Sequence, residues 1–191
     1  MVLVVLCAFL YLNFDFNRNL DKEAFESAVS EIQQTEKLPE AFINMYTQIH
    51  PITNTNSIFY HGIMNKRDRR CPCLHMTKLV YWPSTKNFGK LKVQTSQYFY
   101  AKKLEKRVSQ QECLNAYTNR FDFLFKKIGI YNASRYYFDK ELATLNEDEM
   151  ITLVLMLKNP RHYNPKRSVS QKTLATKIAR IKEKLSSQKN E

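Results

Sequence analysis

Cys71, Cys73 and His75 lie within five consecutive residues, Cys71-Pro72-Cys73-Leu74-His75, and their side chains could bind a metal. Thiolate and imidazole are the ligands zinc prefers, and His61 stands a short way upstream as a further donor. Structural zinc sites usually add a second Cys-x-x-Cys pair, which this chain lacks. Cys71, Cys73 and His75 are therefore weak metal candidates. The expectation is that the cysteines are small buried residues, with no metal and no other cofactor. Four cysteines (Cys7, Cys71, Cys73, Cys113) in 191 residues make no disulfide framework. Cys71 and Cys73 are too close in sequence for an easy bridge to each other. Asn132-Ala133-Ser134 has the form of a glycosylation acceptor, but Asn132 reads better as a helix cap.

Charge is the second chemical resource. Thirty Lys and Arg against eighteen Asp and Glu give +12, and residues 158–191 alone carry ten basic residues and two Glu, or +8. Such a tail suits an anionic partner: phospholipid headgroups, a lipid-linked pyrophosphate or nucleic acid. A solvated basic helix with no dedicated partner fits the same composition. No zinc-finger or RNA-binding motif accompanies the charge, so a nucleic-acid partner is not expected.

The elements that would position these residues are helical. Only three glycines and six prolines, with 13% aromatic residues, describe a compact and mainly α protein. Residues 1–12 are an unbroken apolar run that would reach ~18 Å as a helix, short of the ~30 Å of a bilayer core. A packed helix and an N-terminal membrane anchor both fit it. From Asp21 to about Gln34 the spacing predicts an amphipathic helix burying Phe25, Val29 and Ile32. Leu38-Pro39 opens the next, with Pro39 at its first position and Phe42, Met45, Tyr46 and Ile49 as its stripe, ended by His50-Pro51. Residues 51–57 read as a polar loop, Ser57 to Met64 as a short strand, and Asn65 to Arg70 as a basic surface segment. A short helix follows from Pro72 to Trp82, stopped by Pro83, then a loop over 83–90 and a long helix from Leu91 to Arg107. Ser109 and Glu112 form a capping box for the helix that holds Cys113, Leu114 and Tyr117.

The most informative run is 129–165. Asn132 would cap a helix carrying Tyr136, Tyr137 and Phe138. Asn146 with Glu149 is a capping-box start, and Met150 to Leu157 is apolar nearly all round, so that helix should be buried. Pro160 ends it, and Tyr163-Asn164-Pro165 makes a turn. Ser168 or Ser170 starts a last helix with Leu174, Ile178, Ile181 and Leu185 on one face.

The order of residues in that run resembles the peptidoglycan glycosyltransferase (transglycosylase) domain of penicillin-binding proteins. Gly129-Ile130, Ala133-Ser134, Tyr137-Phe138 and Lys140 follow the pattern G-[IV]-x-x-A-[AS]-x-x-Y-F-x-K. Leu145, Glu149 and Leu153 follow L-T-x-x-E-x-A-x-L, and Pro160 with Tyr163-Asn164-Pro165 follows P-x-x-Y-N-P. Further upstream, Ser109, Glu112, Leu114, Tyr117 and Asn119 match S-K-x-E-I-L-E-x-Y-L-N, and Phe59 to Ile63 is similar to a shortened F-x-x-H-x-G-I. The resemblance implies a lysozyme-like helical glycosyltransferase domain over 19–167, an apolar N-terminal anchor or part of one over 1–18, and a basic amphipathic helix over 168–191.

In that family a deprotonated Glu activates a sugar hydroxyl while polar and basic groups hold the departing pyrophosphate. Laid on the family pattern, His50 falls on the first catalytic Glu and Gln97 on the second acidic position. The segment Cys71 to Tyr81 falls on a Ser- and Thr-rich stretch and keeps only Leu79. Gln has the size and hydrogen bonding of Glu but cannot serve as a base. The resemblance thus implies a divergent member without the usual glutamates. Lys78, Lys102 and Asn119 are its candidate binding residues, and Glu40, Glu105 and Glu112 are weak substitutes for the base. The expected role is binding of lipid-linked cell-wall precursor or glycan, or a scaffold among envelope proteins, at the bacterial inner membrane facing the periplasm. The alternative is an active, divergent glycosyltransferase using His50.

Overall fold

The computed structural model describes residues 2–56, 71–81 and 89–189. The expected strand at Ser57 to Met64, His61, the basic segment Asn65 to Arg70, Trp82 and Pro83 lie outside the described residues. The described residues form helices α1 (Val2–Asn19), α2 (Lys22–Gln34), α3 (Glu40–Ile49), α4 (Pro72–Val80), α5 (Gly89–Leu104), α6 (Gln110–Arg120), α7 (Ile130–Phe138), α8 (Glu147–Lys158) and α9 (Ser168–Lys189). A 3-10 turn spans Leu142–Thr144. Among these residues there is no strand, only an isolated bridge between Asp122 and Ile128. The mainly α, lysozyme-like expectation holds.

The chain divides into two compact units, one of residues 1–35 and 52–117 and the other of 36–51 and 118–191. In the first, α1 packs on α5 and α5 on α4. Phe16 meets Phe99 at 5.8 Å, Phe25 meets Tyr100 edge-on at 5.2 Å, and Tyr81 stacks on Tyr100 at 4.5 Å. Helix α2 starts where the Asp21 side chain accepts from the Ala24 amide, and it buries Phe25, Ala28, Val29 and Ile32. An Asp cap satisfies one of the amides that a helix start leaves without an intrahelical partner.

In the second unit α8 is the centre. Its capping box is complete: Asn146 accepts from the Glu149 amide and Glu149 accepts from the Asn146 amide. Ile151 through Leu157 are all buried, as an apolar helix with no polar face requires. Helices α3, α7 and α9 pack around it. Shortening the fully buried Leu153 to Ala would cost about 2–5 kcal/mol. Helix α9 docks through Leu174 and Leu185, and Lys182 reaches Asp148 at 2.9 Å on the first turn of α8.

Four expectations need correction. Asn132 does not cap α7. The helix begins after Gly129 (φ +86°), and the Asn132 amide donates to the Ile128 carbonyl from inside it. A Cβ at Gly129 would lie 2.8 Å from the Asn119 carbonyl oxygen, so glycine alone permits this entry. Pro39 is the residue before α3 rather than its first. The stretch 51–57 is not wholly a polar loop, because Thr55 starts a helical turn and is fully buried. Cys73 and Cys113 are not free buried thiols. They form a disulfide, with a Cα separation of 4.9 Å, that ties α4 to α6.

Candidate functional site

Glu105, just past the end of α5, is the polar centre of the first unit. One carboxylate oxygen accepts from the Thr55 amide at 2.7 Å, from Gln110 Nε2 at 2.6 Å and from Cys71 Sγ at 3.3 Å. The other accepts from the Thr55 hydroxyl at 2.5 Å. These bonds tie residues 55, 71 and 110 to one side chain, so the carboxylate is occupied as a structural clamp. Burial pushes the Cys71 thiol up to about 12, and the adjacent Glu105 charge adds to it, so this thiol is a poor nucleophile. Glu112 is likewise engaged, holding the Ser109 amide and hydroxyl at 2.7 Å each in its capping box. Glu40 is exposed on the first turn of α3.

His50 is buried at the end of α3, with Nδ1 2.9 Å from the Ile49 carbonyl oxygen and its ring edge-on to Tyr46. Gln97 is buried in α5, where its amide donates to the Tyr81 carbonyl at 3.5 Å. His50 belongs to the second unit and Gln97 to the first. Lys78 is exposed on the last turn of α4. With Cys73 in the disulfide, the Cys71-x-Cys73-x-His75 set offers one thiol, and the His75 ring lies 5.2 Å from that of Tyr117. Among the described residues no three His, Cys, Asp or Glu side chains gather around a common point.

Two hollows are lined by candidate residues. In the second unit a polar pocket of about 350 Å3 is bounded by Glu36, Asn119, Gly129, Tyr131, Arg135 and Glu141, among others. Asn119 donates to the Glu36 carbonyl at 3.2 Å, and Arg135 grips Glu141 with bonds of 2.8 and 3.0 Å. That grip draws the Glu141 carboxyl below its ordinary value through the Arg135 hydrogen bond. In the first unit a pocket of about 310 Å3 lies between α1 and the end of α5, bounded by Asn13, Phe16, Asn17, Phe99, Lys102, Lys103 and Lys106. Lysines on one side and aromatic rings below suit an anion with an apolar neighbour.

The sequence model of one family, described as transglycosylase, matches residues 76–186, more than half of the chain. The chain belongs to the transglycosylase family. Penicillin-binding protein 2a of Streptococcus pneumoniae (strain R6) is 34% identical over 80 residues, covering 42% of this chain and 11% of that protein. Penicillin-binding protein 4 of Bacillus subtilis (strain 168) is 28% identical over 90 residues, covering 47% of this chain and 14% of that protein. The transglycosylase chain thus spans only about a tenth to a seventh of these curated relatives. The matched span holds Lys78, Gln97, Lys102, Glu105, Glu112 and Asn119, and it begins after His50 and Cys73.

Sequence reasoning missed the transglycosylase chain's Glu105 clamp, because Thr55 and Gln110 carry no local mark of their role. It also missed the lysine pocket as a unit. The Lys102-Lys103-x-x-Lys106 spacing could have signalled a basic helix face, but Asn13 and Asn17 come from the other end of the unit.

Proposed function

We propose that this transglycosylase-family chain binds lipid-linked disaccharide-peptide precursor, or the glycan made from it, without polymerising it. It does so, or serves as a scaffold in an envelope complex, at a bacterial inner membrane, on the periplasmic side, attached through residues 1–18. The basic helix over 168–191 adds an anion-seeking surface to the domain over 19–167.

One observation carries the reading. The two positions that the family pattern assigns to acids hold His50 and Gln97, and neither is a carboxylate. The surroundings support it. Glu105 has its acceptors taken by Thr55, Cys71 and Gln110, and Glu112 is committed to a helix cap. A base must reach a proton with a free lone pair; Glu105 already takes four donors, Glu112 takes two on one oxygen, and Glu40 stands exposed on the first turn of α3. Lys78, Lys102 and Asn119 would hold polar and anionic parts of the precursor.

The deciding assay supplies the purified chain with lipid-linked disaccharide-pentapeptide and resolves products by gel. Saturable precursor binding without glycan strands is the expected result. Strands made at a sustained rate would overturn the reading and favour the active alternative. In that alternative His50→Ala abolishes turnover while leaving binding intact.

A further inference from the structure

Helix α1 presents two different faces along its length. Phe16 is buried within the first unit, while Leu10, Tyr11 and Phe14 are 55%, 59% and 64% exposed. Large apolar side chains grouped at i, i+1 and i+4 on one helix, with exposed Cys7 in the same row, form a continuous stripe and not scattered surface residues. The row Leu10, Asn13, Phe14, Asn17 has i, i+3, i+4, i+7 spacing, so it runs along a single strip of the helix. Asn13 and Asn17 are also the rim of the lysine pocket. The apolar stripe and the pocket are therefore neighbours on one surface of the first unit.

The pocket's charge is uncompensated where it opens. Lys103 is partly engaged, donating to Asn17 Oδ1 at 3.1 Å and lying 6.0 Å from the centre of the Phe25 ring. Lys102 and Lys106 are exposed and have no acidic partner among the described residues. The acids around them in sequence or on the neighbouring helices are engaged elsewhere: Glu105 by Thr55, Cys71 and Gln110, Glu26 by both nitrogens of the Arg107 fork at 2.6 and 2.8 Å, and Asp15 by Arg18 at 3.7 Å.

We propose that the pocket bounded by Lys102, Lys103, Lys106, Asn13 and Asn17 is a headgroup-phosphate site for an anionic phospholipid bilayer, into whose interface the Leu10, Tyr11 and Phe14 stripe inserts. The pocket supplies ammonium charge and the Asn13 side-chain amide for a phosphodiester, while the Asn17 amide donates to the Asn13 carbonyl and Oδ1 at 2.7 and 3.1 Å and so holds that rim in place. The Phe16 and Phe99 floor accommodates the apolar glycerol side of the headgroup. An apolar face flanked by lysines is the pattern of a segment lying in the bilayer interface. The inference deepens the membrane-attachment part of the function proposed above and is separate from precursor binding, because the vesicles that test it contain no precursor.

The test is co-flotation of the full chain with vesicles of phosphatidylcholine, with and without about a third phosphatidylglycerol. The parent should partition to the anionic vesicles and bind the neutral ones at least about tenfold more weakly. The double variant Lys102→Ser/Lys106→Ser should lose roughly thirtyfold on anionic vesicles, at about fivefold per lysine near the surface. The same charge loss at Lys22→Ser/Lys37→Ser, exposed lysines that lie outside the pocket and outside the basic helix α9, should cost less than about threefold. Leu10→Ser/Phe14→Ser should weaken binding roughly tenfold on either vesicle. All of these residues are exposed, and circular dichroism checks that each variant is folded. Equal losses from the two lysine pairs would show that net charge alone drives binding and overturn the site. Equal binding to neutral and anionic vesicles, or no loss in the serine variants of α1, would overturn it as well.

Discussion

Removing the Glu105 carboxylate separates a structural role from a catalytic one. Its four donors are the Thr55 amide, the Thr55 hydroxyl, Gln110 Nε2 and the Cys71 thiol. Thr55 is fully buried, so its two polar groups cannot turn to water when the acceptor goes. Bonds to a charged acceptor contribute about 1.5–3 kcal/mol each. Glu105 itself is partly rather than fully buried, which favours the low end, and a thiol is a weak donor. On that basis Glu105→Ala costs about 4 kcal/mol. Glu105→Gln keeps a carbonyl for the Thr55 amide and for Gln110, and the Thr55 hydroxyl can reverse to accept from the new amide. It therefore costs about 1–2 kcal/mol. In a chain of this length 1 kcal/mol moves Tm by roughly 2–4 °C, so the drops should be about 8–16 °C for Ala and 2–8 °C for Gln. Thermal and urea unfolding of the two variants measure this directly. An Ala variant that melts within about a degree of the parent would refute the clamp. So would a Gln variant as damaged as the Ala one. A catalytic Glu105 would show the opposite profile, with turnover lost in Gln at little cost in stability.

Three further outcomes follow from the same geometry. Opening the Cys73–Cys113 bond, by reduction or by Cys113→Ala, removes a cross-link between residues 40 apart and should cost about 3–4 kcal/mol. Thiol titration checks the pairing: the native chain should show fast reaction at exposed Cys7 alone, the denatured chain two thiols, and the reduced denatured chain four. Gly129→Ala should destabilise by about 2–4 kcal/mol, combining the strain of a positive φ with a Cβ pressed onto the Asn119 carbonyl; an unchanged urea midpoint would refute it. Burial acts to raise the Glu149 carboxyl, but the Lys140 ammonium at 2.8 Å and the Asn146 amide outweigh it and hold the group below its ordinary value. A depressed carboxylate stabilises fully above its unfolded value and loses that contribution as pH falls through its folded one. Glu149→Gln should therefore cost about 1 kcal/mol at neutral pH, with the gap from the parent closing as pH falls through the depressed titration of Glu149. A gap that stays constant to lower pH in urea titrations would exclude the charge as its source.

Local rules made much of this chain legible. The Ser109 and Glu112 pair and the Asn146 and Glu149 pair act over three residues, and each starts its helix as the sequence indicates. The apolar density of Met150 to Leu157 likewise announces a buried helix, because a helix with no polar face has nowhere else to go. The order of Gly129, Tyr137, Glu149 and Asn164 carried the family, since spaced positions that build packing leave a pattern readable from letters alone.

Contacts between distant segments decided the rest. Cys73 finds Cys113, Glu105 gathers Thr55, Cys71 and Gln110, and Lys103 reaches Asn17 across 86 positions of sequence. No periodicity encodes such meetings, because they depend on which faces α1, α4, α5 and α6 turn toward one another. Even the start of α7 was a tertiary matter: Asn132 is a good cap by type, but Gly129 lies against the Asn119 backbone, and that close approach sets where the helix begins. Helix positions and family are thus written in near-neighbour residue types, while the disulfide, the clamp and the lysine pocket exist only once packing has brought remote side chains together.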